Sequence, residues 1–81
     1  MDEPVQVEAA LDDDQRLTPR AFIWRGETRQ VHQVGRRWDD GPWQHNLVMT
    51  ADGHTWDLAY APELAVWHIK LHLAPRDTSL I

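Results

Sequence analysis

The stretch Leu47-Val48-Met49-Thr50-Ala51-Asp52-Gly53-His54-Thr55-Trp56-Asp57-Leu58-Ala59-Tyr60 decides the fold. Asp52-Gly53 is a dipeptide suited to a type I′ turn, with strand-forming residues on both sides. A two-residue turn there pairs Thr50 with Thr55, Met49 with Trp56, Val48 with Asp57 and Leu47 with Leu58. One face then carries Leu47, Met49, Trp56, Leu58 and Tyr60, and a slip of one residue would scatter that set over both faces. The segment reads as an antiparallel hairpin.

The same grammar extends in both directions. Towards the N-terminus, Arg20-Ala21-Phe22-Ile23-Trp24-Arg25 is rich in strand formers and precedes Gly26. Taking Gly26-Glu27 as a type II′ turn sets Phe22 opposite Val31 and Trp24 opposite Arg29. Placing the turn at Arg25-Gly26 instead sets Phe22 against Arg29 and Trp24 against Glu27, and pairing chemistry favours the first register. Val31 and Val34 stand three apart, which breaks the strand period and predicts a bulge near Gly35. Asp39-Asp40-Gly41-Pro42 then closes that strand. Pro4 to Ala9 alternates apolar and polar residues and Leu11-Asp12-Asp13-Asp14-Gln15 reads as a turn, a disordered acidic tail being the alternative for this segment. Towards the C-terminus, Trp67, Ile69, Leu71 and Leu73 alternate with His68, Lys70 and His72. That is the strand period, preferred here over a helix opened by Pro62 and Glu63.

Together these elements predict an all-β domain of five or six short antiparallel strands, curled into a small barrel-like sheet. The strands fall near 4–10, 18–25, 28–38, 45–51, 54–60 and 65–73, and residues 75–81 form a frayed tail. The expected core is Val5, Val7, Phe22, Trp24, Val31, Leu47, Met49, Trp56, Leu58, Trp67, Ile69 and Leu71. An incomplete barrel would leave an edge strand open to a second copy or to a partner's strand.

Size and composition narrow the function. Eighty-one residues suffice for one small domain, and the absence of cysteine excludes disulfides, thiolate metal sites and cysteine nucleophiles. His68 and His72 have the spacing of a helical zinc pair, but on a strand four residues span about 13 Å, too far to share a metal. His32, His45 and His54 are scattered, and no serine precedes Ser79. No catalytic residue, metal site or cofactor is predicted, and the protein is read as a non-enzyme. No apolar run reaches the roughly 20 residues of a bilayer span, and the acidic start Met1-Asp2-Glu3 is unlike a secretory signal, so a cytoplasmic location is expected.

The net charge is −5, unevenly spread. Residues 1–15 carry acids and no base, whereas 16–37 carry six arginines against Glu27 alone. Arginines interleaved with tryptophans mark the candidate binding residues: Arg20, Trp24, Arg25, Arg29, Arg36, Arg37, Trp38 and Trp43. Such sets anchor protein interfaces, and they also stack bases and hold phosphates in single-stranded nucleic acid sites. A protein partner is the leading expectation and nucleic acid the alternative. A homodimer through an open edge is a third reading.

The stretch Pro19-Arg20-Ala21-Phe22-Ile23-Trp24-Arg25-Gly26, followed by Val31, Val34, Trp38 and Trp43, resembles a family of small uncharacterised bacterial domains. Its members read roughly P-x-x-F-x-W-R-G-x-x-Y-x-V-x-x-V, with spaced tryptophans after. Similar sequences occur as short stand-alone proteins and near or within the C-terminal part of a degenerate Y-family polymerase of bacterial SOS mutagenesis. The resemblance covers about residues 4–73. Gln30 stands where an aromatic is expected, and of the second-hairpin aromatics only Trp56 is present. The resemblance implies a compact β domain serving as an accessory or docking module around DNA replication or repair, and it supplies no catalytic residues.

Overall fold

The computed structural model describes residues 3–75. Six strands follow one another: β1 (Glu3–Leu11), β2 (Leu17–Trp24), β3 (Glu27–Asp40), β4 (Trp43–Thr50), β5 (Thr55–Ala61) and β6 (Val66–Leu73). Each pairs antiparallel with its chain neighbour, and β6 pairs with β1 to close a barrel. The described residues contain no helix, and therefore none long and apolar enough to cross a membrane. Every strand therefore has a paired neighbour on both sides, unlike the edge strand of an incomplete barrel.

The strand limits follow the turn residues, but two registers differ from the sequence reading. In the first hairpin Phe22 faces Arg29 and Trp24 faces Glu27. Arg25 (φ 51°) and Gly26 (φ 81°) are both left-handed, which is the type I′ turn. Its twist matches that of the flanking strands, and this outweighs the better side-chain mates of the other register. In the second hairpin Met49 faces Thr55, Val48 faces Trp56 and Asn46 faces Leu58. The loop is three residues long: the Gly53 amide donates to the Thr50 carbonyl at 2.9 Å, and Gly53 itself takes φ +88°. This is a type I turn followed by a left-handed glycine. Lengthening the loop by one residue turns β4 over relative to the expected face.

The core changes accordingly. Phe22, Val48, Trp56, Leu58, Trp67 and Ile69 form its buried centre, with Val5, Val7, Ala9, Leu17, Trp24, Val31, Val34 and Tyr60 packed around them. Val48 is 1% exposed, whereas Met49, expected inside, is 38% exposed and faces outward. Leu47 likewise lies on the outer side, half-buried. Leu71 is 44% exposed because Lys70 is an extra residue in the β5–β6 ladder, between the pairs Leu58–Ile69 and Asp57–Leu71. The bulge turns Leu71 and Leu73 outward and His72 inward, against Trp56.

β3 carries two irregularities. His32 is the extra residue that explains the spacing of Val31 and Val34. Gly35 and Arg36 together form the second bulge, at the predicted place, between the pairs Val34–Val48 and Arg37–Asn46.

Candidate functional site

Strand pairing fixes an outer face of four rungs across β3 to β6. The first rung is Gln33, Met49, Thr55 and Leu73. The second is the Gly35–Arg36 bulge with Leu47, Asp57 and Leu71. The third is Trp38, His45, Ala59 and His68, and the fourth holds Asp40 and Trp43 with Ala61 and Val66. On a one-sided antiparallel sheet the outer positions are normally polar. Here Leu47, Met49, Leu71 and Leu73 surround Thr55 and Asp57, with Leu73 as much as 53% exposed.

The other half of this face is aromatic and cationic. Trp38 stacks on His45 with ring centroids 4.7 Å apart and an interplanar angle of 8°. The Arg36 guanidinium lies 5.1 Å from the centre of the Trp38 ring. Trp43 packs against His68 at 4.9 Å and receives the Lys70 ammonium at 5.8 Å. Beneath Trp38, His45 Nδ1 is hydrogen-bonded to both Asp57 carboxylate oxygens at 2.9 and 3.0 Å. His45 is only 4% exposed, so the pair is closed over. A cavity of about 180 Å³ opens on the same face between β3 and β4. Gln33, Gly35, Arg36, Leu47, Met49 and Thr55 line it.

The remaining sequence candidates lie elsewhere. Arg37 points into the barrel: its Nε donates to Asn46 Oδ1 at 3.0 Å, and its guanidinium sits 3.0 Å from Asp12. Arg16 reaches Asp39 at 3.1 Å at that end. The Asp12 carboxylate also accepts from the Arg16 and Asp14 amides and from Thr18. The Arg16 amide bond leads the donors that hold its pKa down to about 2. Arg20 is exposed in β2, apart from the other candidates.

At the opposite end Trp24 packs edge-on against Trp56 at 5.5 Å, with the Arg25 guanidinium 4.7 Å from the Trp24 ring centre. Arg29 lies over Trp56 and is held by Glu27 and Asp52 at 3.0 and 3.1 Å. Of the eight candidates, Arg36, Trp38 and Trp43 therefore share the outer face. Trp24, Arg25 and Arg29 share an end of the barrel.

That end also joins two histidines whose sequence positions gave no hint of it. Nδ1 of His54 and Nε2 of His72 share a short hydrogen bond. The centroids are 4.7 Å apart with only 13° between planes. With facing nitrogens bonded, that separation puts the rings edge to edge in one plane. His72 stacks on Trp56 at 3.9 Å. Burial, then the neighbouring His54 and Arg29, hold the His72 pKa below the usual imidazole value, although Asp52 opposes this. The Asp52 carboxylate is itself lowered, first by the Thr50 hydroxyl. Among the described residues no three His, Cys, Asp or Glu side chains gather as a metal site.

A small closed β-barrel with an aromatic and aliphatic outer face is thus the class of the molecule. The chain belongs to the family described as a domain of unknown function (DUF6504), whose pattern matches residues 1–79. Comparison with curated proteins finds no match. Comparison with solved structures finds none either.

Proposed function

We propose that the domain is a non-enzymatic docking module that holds a protein partner on the outer face of β3 to β6. The carrying observation is the placement of Leu47, Met49, Leu71 and Leu73 at outward positions beside Trp38 and Trp43. A soluble barrel exposes clustered apolar side chains of this size where another surface is to cover them, and tryptophan with arginine is the usual anchor chemistry of such contacts. The His45–Asp57 pair, the arrangement nearest to an acid–base couple, lies under Trp38 and out of a substrate's reach. Arg16, Arg29 and Arg37 are bound to carboxylates. Arg20 and Arg25 lie off this face and Arg36 is its one outward arginine, where a phosphate backbone would call for several, which favours a protein over a nucleic acid partner. The resemblance of the Pro19–Gly26 stretch to domains near Y-family polymerases makes DNA replication or repair the setting we propose for that partner.

The test is affinity capture on the full immobilised chain from a nuclease-treated lysate of its source cells. A protein should be retained by the parent and lost by the double variant Leu71→Glu with Leu73→Glu. Both sites point outward, so the variant keeps the parent's fold by circular dichroism. Identical retention by both forms would sink the proposal.

A further inference from the structure

Resting on that docking reading, we infer that the cavity at the β3 bulge is a socket for one apolar side chain of the partner, and that Arg36 beside it takes a carboxylate flanking that side chain. The bulge creates the space. Two residues, Gly35 and Arg36, intervene where β3 passes Leu47, and the first of them has no side chain. The result is a cavity of about 180 Å³ lined by Leu47, Val48 and Met49 on β4, by Gln33 and Arg36 beside Gly35 on β3, and by Thr55 on β5. An enclosed apolar cavity of about 150 Å³ accommodates benzene. The socket therefore has room for one aromatic ring or isobutyl group.

The charge beside the socket is equally specific. Arg16, Arg29 and Arg37 each contact an acid within the domain. Arg36 lies over the Trp38 ring, and no ion pair holds it among the described residues. An arginine guanidinium presents a planar fork suited to a carboxylate. The neighbouring outer acid, Asp57, is buried and committed to His45. The complementary ligand is an acidic residue next to a large apolar one, on a segment lying over Leu47 and Met49.

Gly35 supplies the control. A Cβ built there meets only the Leu47 carbonyl oxygen at 3.7 Å, an ordinary contact, and the residue is not in the left-handed region. Gly35 lines the cavity, so Gly35→Val takes up part of that space with a Cβ that meets no clash.

The experiment is a ¹H–¹⁵N titration of the full chain with blocked dipeptides: acetyl-Asp-Phe-amide, its neutral twin acetyl-Asn-Phe-amide, and acetyl-Asp-Ala-amide. The acidic aromatic probe should move the amides of Gly35, Leu47, Met49 and Thr55. The neutral twin should bind about fivefold more weakly, the size of an exposed charge contact, and the alanine probe should leave those amides in place. Arg36→Gln should bring the acidic and neutral probes level, and Gly35→Val should abolish both while keeping a dispersed spectrum. Unmoved amides with the acidic aromatic probe up to its solubility limit would overturn the socket, as would unchanged binding by Gly35→Val. If capture is lost with Leu71→Glu and Leu73→Glu but survives in Gly35→Val, the docking face stands and the socket inference falls.

Discussion

Truncating Val48 and Met49 separately tests the register on which every outer-face assignment depends. Val48 is 1% exposed and pairs with Trp56, so Val48→Ala removes two methyl groups from the core centre. At about 0.8 kcal/mol per buried methylene, plus the cavity left behind, the loss is about 2–3 kcal/mol. For a domain of this size that lowers Tm by about 10–20 °C. Met49 faces Thr55 across the pair and is 38% exposed, so Met49→Ala costs below about 1 kcal/mol and a few degrees. Thermal unfolding followed by tryptophan fluorescence and near-ultraviolet circular dichroism reads both, because Val48 adjoins Trp56. A two-residue Asp52-Gly53 turn would put Met49 against Trp56 and turn Val48 outward. Equal losses, or a larger loss for Met49→Ala, would refute the three-residue loop and the outer face built on it.

Three further outcomes are expected. Because the His72 pKa is lowered in the folded state, the unfolded chain takes up that proton first. Its contribution is complete above 6.5 and declines as pH falls below that value, so His72→Phe should flatten the Tm profile on the acid side of 6.5; an unchanged slope there removes His72 as the cause. Asn46→Ala leaves the inward-facing Arg37 without its Nε acceptor and should cost about 1–3 kcal/mol in urea unfolding. Combined with Arg37→Met, the loss should fall below the sum of the single changes, and strict additivity would show that the pair is uncoupled. Ala65 holds φ 54° in the β5–β6 turn, so Ala65→Gly should stabilise by about 0.5–1 kcal/mol, the left-handed relief less the added chain entropy; a fall in Tm would contradict this.

The six strands were readable because their ends carry turn chemistry: Asp12 to Asp14, Gly26, Gly41-Pro42 and Asp52-Gly53 all fall between strands. Registers were harder, for a definite reason. Asp-Gly fits both a two-residue and a three-residue loop, and Leu47, Val48 and Met49 are all apolar, so alternation along β4 could not choose between them. β5 gave no arbitration, since Trp56 and Leu58 are buried on one side and Ala59 and Ala61 on the other. That ambiguity hides Leu47 and Met49 from the candidate face, and the Lys70 bulge hides Leu71. Arg36, Trp38 and Trp43 were visible by residue type alone. Residue type also puts Arg37, their neighbour in sequence, with them, although strand alternation sends it into the barrel. The meeting of His54 with His72 needed the Lys70 bulge, which leaves no mark on hydrophobic periodicity.

The seam between β1 and β6 carries one last consequence. Every other pairing joins strands adjacent in the chain, whereas closure rests on three pairs, Glu3–Ile69, Pro4–His68 and Val5–Trp67. Five hairpins can zip locally, but this junction must wait until almost the whole chain is ordered, since it bears the full entropy of loop closure. It is also the shortest ladder in the barrel and lies beside an open cleft at Pro4–Val7 and Ala65–Trp67. Amide exchange should therefore be fastest along this junction and slowest in β4 and β5. The domain behaves as a clasped ribbon whose buckle is made of its two ends. A load pulling Glu3 away from Ile69 would undo the clasp before it reached the docking face.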